Sequence, residues 1–132
     1  MTDNRTPADV VRDFCAAWEK LDSSGGGVEE ILGYFTPDAV YHNIPVDPCV
    51  GIDAIRAMMA MFTTGVERIE FRVKHLVADG DIVMTERVDV FVQPDRTIEL
   101  PVMGTFEVVD GKIAAWRDYF DLNQYMTQAG LA

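Results

Sequence analysis

The sequence predicts an α+β domain, with helices at the front of the chain and an antiparallel meander behind them. Two observations carry this. In the first half, apolar residues recur at three- and four-residue spacing, the period of one helix face. From Glu67 onward the period drops to two, and the runs are parted by Ala78-Asp79-Gly80, Gln93-Pro94-Asp95-Arg96 and Asp110-Gly111, each able to make a hairpin turn. Helices followed by hairpins pack on one face of a bent sheet, and the hollow left between them suits a small ligand.

The first helix starts at Thr6-Pro7-Ala8-Asp9, with Thr6 as N-cap, Pro7 at the first helical position and Asp9 three residues after the cap. Its apolar stripe is Val10, Val11, Phe14, Ala17, Trp18 and Leu21. Residues 22–27, rich in Ser and Gly, form a loop. A shorter helix puts Val28, Ile31, Leu32 and Phe35 on one side, and Thr36-Pro37-Asp38 ends it. Residues 39–44 read as a short strand and residues 45–51 as a loop. A third helix over 52–63 has Ile55, Met58, Met59 and Phe62 as its stripe. Strands follow over 67–77, 81–92, 97–109 and 112–120, and a last helix over 122–128. On the 97–109 strand Ile98, Leu100, Val102 and Phe106 share one face, opposite Thr97, Glu99, Thr105 and Glu107.

At 132 residues, with 48% hydrophobic and 25% charged residues, the chain is expected to be one domain over residues 1–132 with a real core. A formal charge of −11 argues against nucleic acid and against an anionic membrane surface. Asp3, Asp9 and Asp13 interrupt any leader-like apolar segment, and the apolar run over 57–62 is too short to span a bilayer. Cys15 and Cys49 are isolated thiols, so a reducing cytoplasm is the expected location.

Candidate chemistry gathers on three segments. In Trp116-Arg117-Asp118-Tyr119-Phe120-Asp121 strand alternation puts Asp118 on one face with Ala114, Trp116 and Phe120, and Ile113, Ala115, Arg117 and Tyr119 on the other. A carboxylate among rings is costly to bury unpaired, so it is either salt-bridged to a neighbouring strand or a base in a pocket. Arg87 and Asp89 emerge together with Val83 and Phe91, either as a surface ion pair or facing the interior. Tyr41 and Asn43 share a face of the early strand, where they could hold a water or simply pack and cap a turn. His42 lies on the other face and His75 has no acidic neighbour, so neither is the expected base. There is no GxSxG, phosphate-binding glycine loop or HExxH.

Tyr41-His42-Asn43-Ile44-Pro45, Thr85-Glu86-Arg87-Val88-Asp89-Val90 and the run from Gly111-Lys112-Ile113 through Trp116-Arg117-Asp118-Tyr119-Phe120-Asp121 resemble limonene-1,2-epoxide hydrolase and its relatives. The resemblance runs from the first helix to the last. It implies the cone-shaped nuclear transport factor 2-like (NTF2-like, SnoaL-like) fold, a strongly curved mixed sheet wrapped around helices, and a homodimer. It also implies one-step hydrolysis of a small apolar epoxide, cyclic or terpene-like, to a vicinal diol, without metal or cofactor. Asp118 then matches the family's base, Asp89 its acid, Arg87 the link between them, and Tyr41 and Asn43 the residues that hold the water.

The expected cavity wall is Trp18, Phe62, Leu100, Val102, Phe120 and Tyr125, with the glycine-rich loop near Ser24 able to reshape one side. If Arg87 and Asp89 face inward, Val88 and Val90 turn outward and ask for cover, as a dimer would give. A ketosteroid-isomerase-like or polyketide-cyclase-like reaction, or a non-catalytic ligand-binding module, are the competing readings, since fold does not dictate function.

Overall fold

Helix α1 (Pro7–Ala17) begins as its sequence requires: the Thr6 hydroxyl accepts from the Asp9 amide at 3.1 Å and the Asp9 carboxylate accepts from the Thr6 amide at 3.2 Å. This reciprocal cap satisfies two otherwise orphaned amides. In the computed structural model, which describes residues 5–131, α1 runs into a 3-10 turn at Trp18–Lys20. Then follow α2 (Val28–Leu32), β1 (Phe35–Asn43), β2 (Cys49–Val50), α3 (Ile52–Thr63), β3 (Arg68–Asp79), β4 (Ile82–Val92), β5 (Thr97–Val109), β6 (Lys112–Tyr119) and α4 (Leu122–Gln128). Residues 1–4 and 132, including the Asp3 used against a leader segment, lie outside the described residues.

The six strands form one mixed sheet in the order β2-β1-β6-β5-β4-β3. β3 to β6 are the expected antiparallel meander, while β1 joins β6 in parallel. Helix α1 packs on β3, and α3 packs on β1. Their apolar stripes close the core: Val10, Val11, Phe14 and Trp18 from the first helical segment and Ile55 and Met59 from α3 are all buried. No helix among the described residues is long and apolar enough to cross a membrane.

The inward face of the sheet is ordered in rows across the strands. One row runs Val83–Phe106–Trp116–Tyr41. The Trp116 ring is stacked on Tyr41 at 4.1 Å and on Phe106 at 5.5 Å between centroids, while Phe14 meets it edge-on at 5.0 Å. Each such aromatic pair adds roughly 0.5–1.5 kcal/mol beyond its buried area. The next inward row along the same strands is Thr85–Gly104–Asp118–Asn43, and it is polar.

Four expectations are corrected. Phe35 does not extend the stripe of α2. It opens β1, and Thr36-Pro37-Asp38 lies inside that strand, where the β1–β6 register shifts between Phe35 and Val40 and so tolerates proline's missing donor. The 45–51 loop contains the short strand β2, paired with Val40 and Tyr41. Ile113 is buried with Trp116 and Asp118, because a register irregularity between Glu107 and Val108 resets the alternation at Ala114. Val90 faces outward but is only 1% exposed in the single chain. It lies in register between Glu70 and Glu99, and Glu70 pairs with Arg68 and Arg72 beside it. The 22–27 loop, which the sequence leaves open as a pocket wall, contributes no residue to the main cavity.

Candidate active site

Strand alternation brings the site together. Arg87 and Asp89 on β4, Asp118 on β6, and Tyr41 and Asn43 on β1 all point to the inward face, and all five are buried. Asp118 is salt-bridged to Arg87, two strands away and not on the adjacent strand, and it also faces the cavity.

Arg87 organises the group. Its Nε donates to Asp89 Oδ1 at 2.9 Å and its Nη2 to Asp89 Oδ2 at 2.9 Å, a two-pronged grip on one carboxylate. The same Nη2 donates to Asp118 Oδ2 at 2.8 Å, and Nη1 donates to Thr85 Oγ1 at 3.0 Å. The guanidinium is 1% exposed and lies 4.9 Å from the Phe71 ring centroid. A desolvated cation against an aromatic face gains up to about 2 kcal/mol. Asp118 has a second partner, because Trp116 Nε1 donates to its Oδ1 at 2.6 Å. The aromatic row that holds the Trp116 ring therefore also aims a donor at the carboxylate.

The electrostatics follow from one cation facing two buried carboxylates. Burial pushes Asp118 up to about 6, an effect that Arg87 opposes and Asp89 reinforces. Burial also raises Asp89, again against the pull of Arg87. Burial works against the charge of Arg87, but Asp118 and Asp89 outweigh it and hold the guanidinium protonated. Burial thus favours the protonated form of both carboxyls, and their protons belong to the pair and not to either residue alone. Tyr41 is raised well above its ordinary value, first by burial and then by Asp118, so it keeps its hydroxyl proton, which it donates to Asn43 Oδ1 at 3.0 Å. The Cys15 thiol below the site is pushed up to about 12 by burial.

The group opens onto a cavity of about 510 Å³. Asp89, Asp118, Tyr41 and Asn43 are its polar wall, and Arg87 lies behind them without lining it. All six expected apolar wall residues, Trp18, Phe62, Leu100, Val102, Phe120 and Tyr125, do line it. The indole nitrogen of Trp18 has no hydrogen-bond partner among the described residues. Sequence reading missed Val46, Met58, Met61, Phe71, Phe91, Leu122 and Leu131. Met58 and Phe91 were within reach, since each shares a helix or strand face with a residue that was named. Met61 and Leu131 are rim residues, 75% and 63% exposed, with no pattern to single them out. Leu100 and Val102 form a small core of their own with Ile98, against which Phe120, Tyr125 and Ala129 pack. Helix α4 is held over this cluster by Gln128, whose side-chain amide accepts from the Glu99 amide at 2.7 Å and donates to its carbonyl at 2.9 Å. Among the described residues, no group of three or more His, Cys, Asp or Glu side chains is arranged to hold a metal ion.

A largely apolar cavity with two carboxyls on one wall can give a proton at one point and take one at another when one carboxyl is protonated and the other ionised. Comparison with known proteins gives a family. Residues 5–130 match the limonene-1,2-epoxide hydrolase catalytic domain. The epoxide hydrolase EphG of Mycobacterium tuberculosis is 37% identical over 90 residues, 64% of this chain and 56% of that protein, so the match spans little more than half of that relative's length. Among solved structures, an epoxide hydrolase of M. tuberculosis resembling limonene-1,2-epoxide hydrolase superposes with a TM-score of 0.78 at 26% identity, covering 92% of this chain and 87% of that one. A protein from Shewanella putrefaciens described as a SnoaL-like polyketide cyclase superposes with a TM-score of 0.81 at 11% identity, covering 98% and 100%. That second likeness concerns the fold alone, which is the NTF2-like fold expected from the sequence.

Proposed function

The chain belongs to the limonene-1,2-epoxide hydrolase family, and on that premise we propose that it is an epoxide hydrolase adding water in one step to a small apolar epoxide, cyclic or terpene-like, to give a vicinal diol. The observation that carries the reading is Arg87 bonding Asp89 and Asp118 at once, with both carboxyls on the wall of one apolar cavity.

Asp118 is the base. Above about 6 it is ionised, and it takes a proton from a water held beside it by Tyr41 and Asn43. The water oxygen forms a bond to one ring carbon as the carbon–oxygen bond of the epoxide breaks. Asp89, whose protonated form burial favours, is assigned as the acid of the pair and gives its proton to the departing oxygen. The proton gained by Asp118 balances the one lost by Asp89, and its return through the pair resets the site. Arg87 keeps the pair's total negative charge tolerable while the proton changes sides. Each placed acid or base contributes roughly 10²- to 10⁴-fold in rate, about 3–5 kcal/mol of barrier. Ring strain supplies part of the rest. The apolar wall takes up the hydrocarbon and keeps bulk water from the reacting oxygen.

A ketosteroid-isomerase-like or polyketide-cyclase-like reaction has no need of the Tyr41–Asn43 pair beside the base, and a binding module has no need of two buried carboxyls bridged by an arginine. A single turnover in ¹⁸O-labelled water, with enzyme in excess, separates direct attack by water from attack by a carboxylate. Direct attack puts label into the first diol formed. Unlabelled first-turnover diol would mean a covalent ester and would remove the base role from Asp118.

The working form is a homodimer in the same proposal. Val77, Met84, Met103 and Tyr119 remain exposed on the outer face of the meander and offer an apolar patch to a second copy. Sedimentation giving only monomer at high concentration would refute it. The two free thiols, Cys15 and Cys49, suit the cytoplasm as its place of action.

A further inference from the structure

Arg87 is on β4 and Asp118 on β6, with β5 between them. Strands stand about 4.8 Å apart, so this ion pair has to cross roughly 10 Å of sheet. Gly104 of β5 lies at the crossing, in one row with Thr85 and Asp118. A Cβ there would fall 2.6 Å from Asp118 Oδ1, 3.2 Å from Thr85 Oγ1 and closer still to Arg87 Nη1. Gly104 is not among the glycines with positive φ, so what it supplies is room, not an unusual backbone conformation. On the other side of the gap, the Thr85 hydroxyl accepts from Arg87 Nη1 at 3.0 Å while donating to the Gly104 carbonyl at 3.4 Å. Nη1 meets neither carboxylate, so the Thr85 hydroxyl adds a fourth anchor to the guanidinium, on the edge that the carboxylates leave free.

We propose that Gly104 and Thr85 are positioning residues that form a notch for Arg87, so that one guanidinium bridges Asp89 and Asp118 across the intervening strand. The notch sets how tightly the carboxyl pair holds its proton. Filling it moves Arg87 off Asp118, which then loses the charge that favours its ionised form. The kinetic part of this proposal rests on the epoxide hydrolase reading, whereas the electrostatic part stands without it.

The test uses Gly104→Ala and Thr85→Val, with Thr85→Ser as the conservative control. Aspartate side-chain carboxyls are followed by ¹³C NMR against pH in the substrate-free protein, and Asp118→Asn identifies the signal. The Asp118 midpoint is expected to move upward in Gly104→Ala, upward by less in Thr85→Val, and back toward the parent in Thr85→Ser. With an epoxide that is turned over, kcat falls about 10²-fold in Gly104→Ala while KM stays within about twofold, as expected when a reacting group is misplaced by about an ångström. Thr85→Val loses about tenfold in kcat, and Thr85→Ser recovers most of it. An unchanged midpoint in folded Gly104→Ala overturns the notch. Should that variant not fold, an unchanged midpoint in Thr85→Val overturns it instead. If the parent opens no epoxide at all, the catalytic reading falls and the titration still decides the notch.

Discussion

Two adjacent rows of the same sheet, reached by moving two residues along each strand, do opposite work. Val83, Phe106, Trp116 and Tyr41 make a densely packed row in which the Trp116 ring stacks on Phe106 and Tyr41. Thr85, Gly104, Asp118 and Asn43 put a hydroxyl, a gap, a carboxyl and an amide at the next positions. Polar groups this deep persist because each has a partner, and several of the partners come from the ring row or its neighbours: Trp116 donates to Asp118, Tyr41 donates to Asn43, and Phe106 lies 6.0 Å from Arg87. The dense row is thus the support that keeps the polar row from relaxing. A site that must hold an awkward charge gains from standing beside the least deformable part of the core.

The comparison breaks most plainly at Asp118. Asp118→Asn should lower turnover by at least about 10³-fold, because the amide keeps the shape and cannot take the proton, and Asp89→Asn should be severely impaired through loss of the acid. Diol formation by chromatography, alongside thermal unfolding, checks both, and full activity in either variant would end the assignment. The stability of Asp118→Asn should also lose part of its pH dependence. The folded value of Asp118, about 6, lies above the ordinary 3.8, so the folded state binds this proton more tightly than the unfolded one. Its stabilising contribution is complete below 3.8 and is lost as pH rises toward 6, a slope that the amide variant should not share.

Phe106→Ala should act the other way round. It should cost about 3–5 kcal/mol of stability, as for other large-to-small changes in a packed interior. Its kcat, measured where the variant is still folded, should fall far less than that of Asp118→Asn. A denaturant titration that left stability unchanged would mean that the two rows are less distinct than their packing indicates. The smallest effects are expected on the far wall. Leu100→Ala or Val102→Ala should cost less than about 2 kcal/mol, since the cavity already lies against them. Either should change the ratio of kcat/KM between a bulky and a compact epoxide by about tenfold. Unchanged selectivity together with a large drop in melting temperature would mark them as ordinary core.

The ring row and the carboxyls were legible in the sequence because each repeats at the period of its element. Phe14 and Trp18 follow a helix stripe; Leu100, Val102 and Phe106 follow a strand. The five polar candidates all fell on inward faces once the alternation was read correctly. What was not legible came from places where the period slips or a side chain is missing. Ile113 was assigned to the wrong face because the irregularity near Ala114 has no marker in the sequence. Pro37 was read as a stop, although a register shift lets β1 pass through it. Gly104 carried the faintest signal, a lone glycine on the inward side of an apolar strand between Val102 and Phe106. Its meaning depends on Arg87 arriving from another strand, and local pattern cannot encode that.

The parallel contact between β1 and β6 has a consequence for the order in which the molecule forms. Arg87, Asp89 and Asp118 belong to a meander of neighbouring hairpins, whereas Tyr41 and Asn43 reach it only through strands that are distant in sequence. Closing so long a loop costs several times RT more than closing a hairpin, about (3/2)RT ln n for a loop of n residues. The carboxyl pair should therefore assemble early and the Tyr41–Asn43 pair late, so that β1 amides exchange with solvent at lower denaturant than those of β4 and β5. Equal protection of all three strands would refute this order. On the mechanism proposed above, a partly folded chain would then already hold its carboxyl pair while having nowhere to seat a water, and it would acquire activity only with its last long-range contact.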